Sequence, residues 1–419
     1  MEAIVHPGFA GGILTAPTSK SDAHRALICA ALADNGCTLH VGARNADIDA
    51  TLRCLEALGA SFAFPEEDSI QVTPIGTPKN GGTADCGESG STLRFMLPVA
   101  AALGTTTDFI GSGKLPERPL SELVGALTAH NSIFSSDHLP LRISGKLTAG
   151  CFCLPGNISS QYVTGLLFAL PILDGDSEIC LTSPLQSVGY VDMTLRTMAR
   201  FGVTVQATDT GWRIPGNQTY HAPEGIRVEG DWSGAAFPLA MGALCAPVTV
   251  ENLHMDSAQP DRAIVTLLER FGAKVEQDGP RFTVSPAELS AQTIDVGEIP
   301  DLAPILAVVA ACAKGVSRLE NAARVRLKEC DRLAATTQIL TAMGVRVTEY
   351  PDALEIEGGS VLHGACVEGF NDHRMVMAAA VAALRADGET RISDAHAVRK
   401  SYPHFFDDFK KLGGKAHVV

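Results

Sequence analysis

The sequence predicts a protein of the α/β (α+β) class with two similar domains, each made of three repeated units around buried helices. Its 419 residues are too many for one compact core and suit two domains of about 200 residues each. Six times the chain runs from a polar start through an Ala/Leu-rich helix and a short turn into a β-like segment. Because strand and helix patterns alternate throughout, the chain is expected to belong to the α/β or α+β class.

The six copies follow one another at intervals of roughly 70 residues, which suits a small subdomain. They begin near Ser21, Ser91, Ser160, Ser233, Asp301 and Asp372. The first helix of each copy is apolar nearly all round, as in residues 375–384, and is expected to be buried. The second helix is half-polar, so we expect one of its faces to contact solvent.

Five of the second helices end at a glycine, which is the residue that most readily adopts the left-handed conformation of a helix C-cap. These ends are Leu58-Gly59, Phe201-Gly202, Phe271-Gly272, Met343-Gly344 and Leu412-Gly413. The second copy has Asn131 at this point, and asparagine also tolerates that conformation. Short strands are expected directly afterwards, for example at residues 203–205 and 273–275.

The best crossing between domains by composition is Pro223-Glu224-Gly225. We expect the N-terminal strand to belong with the C-terminal half of the chain. One domain would then contain residues 1–14 and 227–419, and the other residues 15–226.

The composition excludes several classes of function. A formal net charge of −14 disfavours nucleic acid and acidic membranes as partners, although it leaves local sites for small anions open. The chain has neither a secretory N-terminus nor a membrane-spanning apolar run, so a cytoplasmic location is expected. Eleven cysteines without a Cys-x-x-Cys pair indicate buried, reduced thiols rather than disulfides or a metal site.

The start of the first buried helix has the composition of an anion-binding site. Pro17-Thr18-Ser19 leads into Lys20, Ser21 and Arg25, which crowd an ammonium, a hydroxyl and a guanidinium onto one helix N-terminus. Backbone N–H groups and the helix dipole favour an anion at the same place. Several such starts in one chain indicate a small substrate rich in phosphate and carboxylate.

Two further starts and one loop in the first half of the chain belong to this group. Gly87 and Gly90 flank a turn into a helix that carries Arg94, and Ser159-Ser160-Gln161 offers more hydrogen-bonding groups than a cap requires. Residues 111–114 resemble a nucleotide phosphate loop but lack its spacing, while Arg118 follows closely. The alternatives are ordinary helix caps and a surface ion pair between Arg118 and Glu117.

The second half of the chain carries both cations and carboxylates. Asp301 precedes an apolar helix, where it is either a cap or a functional carboxylate. Helical spacing would put Arg324, Lys328 and Arg332 on one face, which is either solvated or directed at one anion. Three candidates complete the group: Glu329 for proton transfer, Arg374 at a helix start, and Lys400, whose position before a helix opposes the dipole.

Taken together, these segments resemble the 5-enolpyruvylshikimate-3-phosphate (EPSP) synthase family of enolpyruvyl transferases. The matching motifs occur in the family's order over nearly the whole chain and are highly specific as a set. They are Ser19-Lys20-Ser21 with Arg25, Gly90 with Arg94, Glu117-Arg118-Pro119, Ser159-Ser160-Gln161, Pro300-Asp301, Lys328-Glu329-x-Asp331-Arg332, Asn371-Asp372-His373-Arg374 and Lys400-Ser401-Tyr402-Pro403.

The resemblance implies two domains of three βαβαββ-like units each, with the active site in the cleft between them. It implies transfer of the enolpyruvyl group of phosphoenolpyruvate to the 5-hydroxyl of 3-phosphoshikimate, with release of phosphate, in the shikimate pathway to chorismate and the aromatic amino acids. It also implies a monomer without metal or organic cofactor, and inhibition by glyphosate in the space beside Gly90.

The resemblance also implies a role for each matching residue. Those for 3-phosphoshikimate are Lys20, Ser21, Arg25, Ser159, Ser160, Gln161, Ser187, Asp301, Arg324 and Lys328. Those for phosphoenolpyruvate are Lys20, Gly90, Arg118, Gln161, Arg332, Arg374 and Lys400. The catalytic residues would be Asp301 as base and Glu329 as acid, assisted by Lys20.

Two other functions compete with this one. The sister transferase that acts on UDP-N-acetylglucosamine usually carries a reactive cysteine on a mobile loop, and the corresponding residues 112–119 contain none. A non-catalytic repeat scaffold would spread its charges over outward faces and would not need Asp301 and Glu329 beside the cations.

Overall fold

The computed structural model describes residues 1–419, which form two compact units. The terminal unit contains residues 1–19 and 229–419, and the central unit contains residues 20–228. Each unit has its own hydrophobic core, six α-helices and three four-stranded sheets. The α/β class and the threefold repetition within each half are therefore confirmed.

The helices of the central unit are α1 (Lys20–Leu32), α2 (Ala46–Leu58), α3 (Gly90–Leu103), α4 (Ser121–Thr128), α5 (Ser160–Ala169) and α6 (Val188–Arg200). Those of the terminal unit are α7 (Trp232–Leu244), α8 (Ile264–Phe271), α9 (Ala303–Cys312), α10 (Arg332–Ala342), α11 (His373–Ala383) and α12 (Phe405–Lys411). The odd-numbered helices begin close to the six predicted starts.

The strands of the central unit are β3 (Cys37–His40), β4 (Ser61–Ala63), β5 (Ser69–Thr73), β6 (Gly82–Asp85), β7 (Thr107–Ile110), β8 (Ile133–Phe134), β9 (Leu141–Ser144), β10 (Cys151–Pro155), β11 (Ser177–Ser183), β12 (Gln206–Thr208), β13 (Gly211–Ile214) and β14 (Gly225–Arg227). Those of the terminal unit are β1 (Ala3–His6), β2 (Gly12–Thr15), β15 (Val248–Glu251), β16 (Lys274–Asp278), β17 (Arg281–Ser285), β18 (Thr293–Asp295), β19 (Gly315–Glu320), β20 (Arg346–Tyr350), β21 (Ala353–Gly358), β22 (Cys366–Val367), β23 (Thr390–Ile392) and β24 (Lys415–Val418).

All six sheets share one topology: a parallel pair followed by two antiparallel neighbours. The strand orders are β14-β3-β5-β4, β6-β7-β9-β8 and β10-β11-β13-β12 in the central unit, and β2-β15-β17-β16, β18-β19-β21-β20 and β22-β23-β1-β24 in the terminal unit. The N-terminal strands β1 and β2 thus complete two sheets of the terminal unit. Identical topology in six sheets is what six copies of one βα unit produce.

Burial separates the two helices of each repeat. Every residue of α7 is buried, whereas the second helix α6 buries one face and leaves its polar side exposed. An all-round apolar helix lies in the core because every face needs apolar neighbours, and a half-polar helix covers the core from outside. None of the twelve helices is both long and apolar enough to cross a lipid bilayer.

The turns after the second helices follow the predicted glycine pattern. Gly59 caps α2 with a φ of 120°, and Asn131 adopts a left-handed φ of 71°. The strand predicted at residues 203–205 is wrong, since β12 begins only at Gln206. Val203 N donates to Met198 O at 3.0 Å, so this residue completes the helix C-cap rather than a sheet ladder.

Candidate active site

The first cluster of the central unit lies where α1 begins. Lys20 Nζ donates to Asp47 Oδ2 at 2.9 Å, and both side chains are largely buried. The pair holds the ammonium at the positive end of the α1 dipole, where an anion is favoured. Sequence analysis missed Asp47 because an acid in the first turn of α2 has a sufficient explanation as a dipole partner.

Arg25 joins α1 to α6. Its guanidinium donates from Nε to Thr194 Oγ1 at 2.9 Å, from Nη1 to Ser21 O at 2.6 Å and from Nη2 to Tyr190 O at 2.8 Å. Burial lowers the pKa of Arg25 to about 10, against the opposing charge of Asp22. The side chain is therefore still a cation at neutral pH, and its orientation is fixed by both helices.

Ser187 precedes α6 in a conformation that is unusual for serine. Its φ of 59° lies in the left-handed region, and the residue is buried. Backbone strain of this kind persists where the surroundings require it and is common at binding sites. Ser187 O accepts from Tyr190 N at 3.2 Å, so the strained residue also belongs to the first turn that Arg25 contacts.

Gly90, the first residue of α3, lies against two guanidinium groups. A Cβ atom at this position would stand 2.6 Å from Arg118 Nη1 and 3.0 Å from Arg94 Nη1. The missing side chain therefore allows both cations to approach the backbone at the helix N-terminus. The structure thus brings Gly90 and Arg118 together.

The start of α5 contacts the start of α3 through Gln161. Gln161 Oε1 accepts from Arg94 Nη1 at 2.7 Å, and its Nε2 donates to Ser91 Oγ at 2.9 Å. Ser159 caps α5 by accepting from Gln161 N at 3.3 Å, and Ser160 is buried beside it. The polar cluster predicted at the start of α5 is thus hydrogen-bonded to Arg94, one of the two arginines beside Gly90.

In the terminal unit, three cations converge on the carboxylate of Asp301. Lys328 Nζ lies 3.2 Å from Oδ1, Arg332 Nη1 lies 2.9 Å from the same oxygen, and Arg374 Nη2 lies 2.9 Å from Oδ2. Asp301 is not the cap of α9, whose N-cap position is Leu302. Of the two interpretations of this residue, the plain cap is therefore wrong.

Arg332 is the centre of this cluster and is almost fully buried. Besides Asp301, it donates to Glu329 Oε2 at 2.6 Å and from Nε to Asp372 Oδ2 at 2.7 Å. Asp372 was missed as a partner because its position before α11 is explained by capping, and it does accept from Arg374 N at 2.9 Å. One carboxylate therefore fixes Arg332 and caps the helix that carries Arg374.

Electrostatics differ between the cations of this cluster. Burial lowers the pKa of Lys328, and the neighbouring Arg332 lowers it further, while Asp301 opposes both effects. The pKa of Arg332 and that of Arg374 are raised because nearby carboxylates outweigh the cost of burial. The two arginines are permanent cations here, and Lys328 is the one whose charge responds to its surroundings.

The helical face predicted for residues 324–332 is wrong. Ala323–Leu327 form a short 3₁₀ helix that stops before Lys328, and α10 begins only at Arg332 after its cap, Asp331. Lys328 and Arg332 therefore do not share a helical face. Both still contact Asp301, because the chain changes direction between the two helices. Arg324 lies on the 3₁₀ helix and lowers the pKa of Lys328 through its charge, as the smallest of several effects.

The dipole argument for Lys400 is also wrong. Lys400 ends a 3₁₀ helix, Ala395–Lys400, and α12 begins five residues later at Phe405. Its Nζ donates to Asn371 O at 2.5 Å, immediately before α11. Lys400 nevertheless contributes a cation close to the helix start that carries Arg374.

A buried acid behind Arg374 was not recognised from the sequence. Arg374 Nη1 donates to Ser233 O at 3.5 Å, and Ser233 Oγ donates to Asp261 Oδ2. Asp261 is fully buried, and its pKa is raised to about 7 by burial and by the charge of Asp301, with Arg374 opposing. No local pattern marks this residue, which lies in the short 3₁₀ helix Pro260–Ala263.

The sequence model of EPSP synthase, 3-phosphoshikimate 1-carboxyvinyltransferase, matches residues 7–409 of the chain. The chain belongs to the EPSP synthase family. The 3-phosphoshikimate 1-carboxyvinyltransferase of Clostridium beijerinckii is 40% identical over 423 residues, covering 98% of this chain and 97% of the relative. That of Methanocorpusculum labreanum is 39% identical over 417 residues, covering 99% of each.

Solved structures agree on the fold of the family. An EPSP synthase from Acinetobacter baumannii matches with a TM-score of 0.83 at 24% identity, covering 100% of both chains. The enolpyruvyl transferase NikO from Streptomyces tendae matches with a TM-score of 0.81 at 17% identity, covering 99% of this chain and 98% of the other. At these identities the likeness establishes the enolpyruvyl transferase fold.

Proposed function

We propose that this member of the EPSP synthase family transfers the enolpyruvyl group of phosphoenolpyruvate to the 5-hydroxyl of 3-phosphoshikimate. The observation that carries the proposal is the contact of Asp301 with Lys328, Arg332 and Arg374, beside Glu329. Guanidinium groups bind phosphate and carboxylate in a bidentate manner, and a carboxylate among them supplies a proton acceptor.

We assign the central unit chiefly to 3-phosphoshikimate. Lys20, Ser21, Arg25, Ser159, Ser160, Gln161 and Ser187 would bind it, together with Asp301, Arg324 and Lys328. The support is local geometry: Arg25 is fixed by α1 and α6, and hydroxyls and a side-chain amide lie at the α5 start. Phosphate is well matched to backbone N–H groups and cations at such helix N-termini.

Phosphoenolpyruvate is assigned to the guanidinium groups of both units. Gly90 and Arg118 with Gln161 would contact it from the central unit, and Arg332, Arg374 and Lys400 from the terminal unit, with Lys20 touching both substrates. Its phosphate and carboxylate require several cations, which the clusters at α3 and α11 supply.

In the proposed reaction, Asp301 accepts the proton of the 5-hydroxyl while the oxygen attacks C2 of phosphoenolpyruvate. Glu329, with Lys20 able to assist, delivers a proton to C3, which gives a tetrahedral adduct. Glu329, now a carboxylate, then takes a proton back from C3 while the bond between C2 and the phosphate oxygen breaks, which forms the C2=C3 double bond of the enol ether product and releases phosphate. Each acid–base step accelerates the reaction by about 10²–10⁴-fold. Binding both anions side by side adds to the rate by orienting the 5-hydroxyl towards C2.

The deciding experiment measures phosphate release from phosphoenolpyruvate with no acceptor, with 3-phosphoshikimate and with UDP-N-acetylglucosamine. Release with 3-phosphoshikimate alone supports the proposal, whereas release with the UDP-sugar alone would establish the sister activity. No release with either acceptor would favour the scaffold.

The role of Asp301 is tested with Asp301→Asn, which keeps the shape of the side chain among its three cations. We expect kcat to fall by about 10²-fold or more, with KM for both substrates changed by only a few-fold. Glu298→Gln, at an exposed carboxylate three residues earlier, is the matched control and should retain wild-type turnover. Undiminished kcat in Asp301→Asn would remove this residue as the base.

Glyphosate, with its phosphonate and carboxylate, is proposed to occupy the phosphoenolpyruvate position beside Gly90. We expect inhibition in the micromolar range that is competitive with phosphoenolpyruvate. Full activity at millimolar glyphosate would contradict this interpretation of Gly90.

We further propose a cytoplasmic monomer. All residues assigned to the two substrates come from one chain, and all eleven cysteines are free thiols, which suits a reducing compartment. Sedimentation of the active enzyme tests the oligomeric state, and cell fractionation tests the location.

A further inference from the structure

Three cysteine thiols lie together on one face of the β10-β11-β13-β12 sheet in the central unit. Cys151 and Cys153 are two residues apart on the edge strand β10, and both are exposed, so the expectation that the cysteines are buried is wrong for them. Cys180 lies on the neighbouring strand β11, directly opposite Cys153 in the parallel register. The sheet itself therefore places all three side chains on the same surface, because residues i and i+2 of a strand share a face.

The sulfur atoms are close enough to share one ligand. Cys151 Sγ lies 3.2 Å from Cys180 Sγ and 3.9 Å from Cys153 Sγ, and all three atoms lie within 4.8 Å of one another. A metal ion with bonds of about 2.3 Å to each of three thiolates separates the sulfur atoms by about 4 Å. A disulfide would use two of these thiols and leave the third unused, whereas one metal ion uses them all.

The neighbours of the thiols favour a cation and leave one side open. Glu178 is the register partner of Cys151, and its carboxylate adds negative charge on the same face. Cys180 has Gly211 as its direct partner on β13, so that position offers no side chain over the sulfur, while Arg213, the partner of Glu178, pairs with Asp176 at 3.1 Å. Three protein ligands with an open fourth position is an arrangement in which zinc retains an exogenous ligand.

A metal ion binds cysteine as the thiolate, so its binding displaces thiol protons. The pKa of Cys151 is raised by its hydrogen bond with Cys180, then by burial, and that of Cys153 is raised by its hydrogen bond with Cys151, then by burial. Since the thiolate is the ligand, metal binding releases protons and strengthens as the pH rises.

We propose that Cys151, Cys153 and Cys180 form a binding site for one thiophilic metal ion of the Zn²⁺ type, with an exogenous fourth ligand. The site is separate from the residues assigned to enolpyruvyl transfer and does not depend on that assignment. Thiolate sulfur selects such soft or borderline ions over Mg²⁺ and Ca²⁺, which prefer oxygen ligands.

The test titrates the full-length, reduced and chelator-treated protein with Zn²⁺ in competition with a chromophoric chelator, and repeats the titration with Cd²⁺. We expect one ion per chain, proton release on binding, and a sulfur-to-Cd²⁺ charge-transfer absorption. In Cys180→Ser and Cys151→Ser, the affinity should fall more than tenfold and the Cd²⁺ absorption should weaken. Circular dichroism checks that both variants are folded.

Cys366→Ser is the matched control, since Cys366 is an exposed thiol on β22, which belongs to a different sheet. It should bind Zn²⁺ as the wild type does. Three outcomes overturn the proposal: no Zn²⁺ uptake by the reduced protein, equal affinity in Cys180→Ser, or a Cys151–Cys180 disulfide as the sole product with no metal bound after reduction.

Discussion

At the N-terminus of α3, a hydrogen atom in place of a methyl group allows two guanidinium groups to reach the backbone. The Cβ of an alanine at position 90 would lie 2.6 Å from Arg118 Nη1, well inside van der Waals contact. Arg118 is the more exposed of the two arginines and is therefore expected to move more than Arg94. The position of the Arg118 guanidinium thus depends on the absence of a side chain at Gly90.

Gly90→Ala should therefore weaken phosphoenolpyruvate binding more than it slows turnover. We expect KM for phosphoenolpyruvate to rise about tenfold, equivalent to about 1.4 kcal/mol of lost interaction, with KM for 3-phosphoshikimate nearly unchanged. Glyphosate should lose at least as much affinity because it is proposed to occupy the same space. Steady-state kinetics with each substrate varied measures these effects.

Gly125→Ala is the matched control, because a Cβ at this position in α4 meets nothing within 4 Å. It should leave every kinetic constant unchanged and stabilise α4 slightly. Equal KM values in Gly90→Ala and the wild type would show that Arg118 does not contact phosphoenolpyruvate.

Asp261 makes a second prediction at the residue scale, concerning pH. Its native pKa of about 7 lies above its ordinary value of 3.8, so between these values the folded protein keeps a proton that the unfolded chain has released. The contribution of Asp261 to the free energy of unfolding therefore decreases as the pH rises through this window, by an amount on the order of a few kcal/mol.

Asp261→Asn removes this dependence because asparagine does not titrate. Relative to the variant, the wild type should be more stable at pH 5 than at pH 8, as measured by urea denaturation at both pH values. Asp256→Asn, at an exposed position five residues earlier, should follow the wild type throughout. A difference between wild type and Asp261→Asn that does not change with pH would contradict the assignment.

At the scale of elements, one carboxylate connects two helices of the terminal unit. Asp372 caps α11 by accepting from Arg374 N, and it also accepts from Arg332, which begins α10. Asp331 caps α10 in a similar way, accepting from Ala334 N at 3.1 Å, but its ion partner is the less buried Arg326. The two caps therefore differ mainly in the burial of their ion partner: Asp372 neutralises the buried Arg332, whereas Asp331 pairs with the more exposed Arg326.

This difference predicts unequal costs of removal. Asp372→Ala should lower the free energy of unfolding by about 3–5 kcal/mol, because it leaves the buried Arg332 without one of its carboxylates. Asp331→Ala should lose about 1–2 kcal/mol, the value of a cap plus a weak ion pair. Denaturant unfolding of both variants measures the difference, and equal costs would mean that the ion pair with Arg332 adds nothing beyond capping.

Elements also show what the sequence could predict. The six helix starts and the glycine turns are local sequence patterns. The sequence therefore predicts correctly that Lys20, Ser160 and Arg374 lie at helix N-termini. Asp47, Asp261 and Asp372 were missed as partners because ion pairing depends on contacts between residues distant in sequence. Locally, Asp47 is explained as a helix-dipole partner and Asp372 as a cap, while no local pattern marks Asp261. The helix assumed at residues 324–332 failed because tertiary contacts to Asp301 override a periodic pattern.

At the scale of the whole molecule, an acidic chain concentrates its cations at a few helix starts. The net charge of −14 gives no indication of anionic substrates. The local clusters of cations at helix starts do predict them. In the central unit Asp47 pairs with Lys20, and in the terminal unit Asp301 pairs with Lys328, Arg332 and Arg374. The two groups are built by different parts of the chain, so they can be separated experimentally.

The central unit, residues 20–228, is continuous in sequence and contains every strand of its three sheets. We expect this fragment, expressed alone, to fold cooperatively, because β14 pairs with β3 inside it. It should bind 3-phosphoshikimate more weakly than the full chain, since Asp301 and Lys328 are absent, and it should have no turnover. Circular dichroism, urea denaturation and calorimetric titration measure these properties.

Two variants of the fragment separate folding from binding. Truncation to residues 20–223 removes β14 and should lower the stability, because β3 becomes an unpaired edge. Arg25→Ala should abolish binding of 3-phosphoshikimate if the fragment remains folded. A folded fragment that binds the ligand equally well with and without Arg25 would show that the anion contacts belong mainly to the terminal unit, and the division of substrates between the units would have to be reversed.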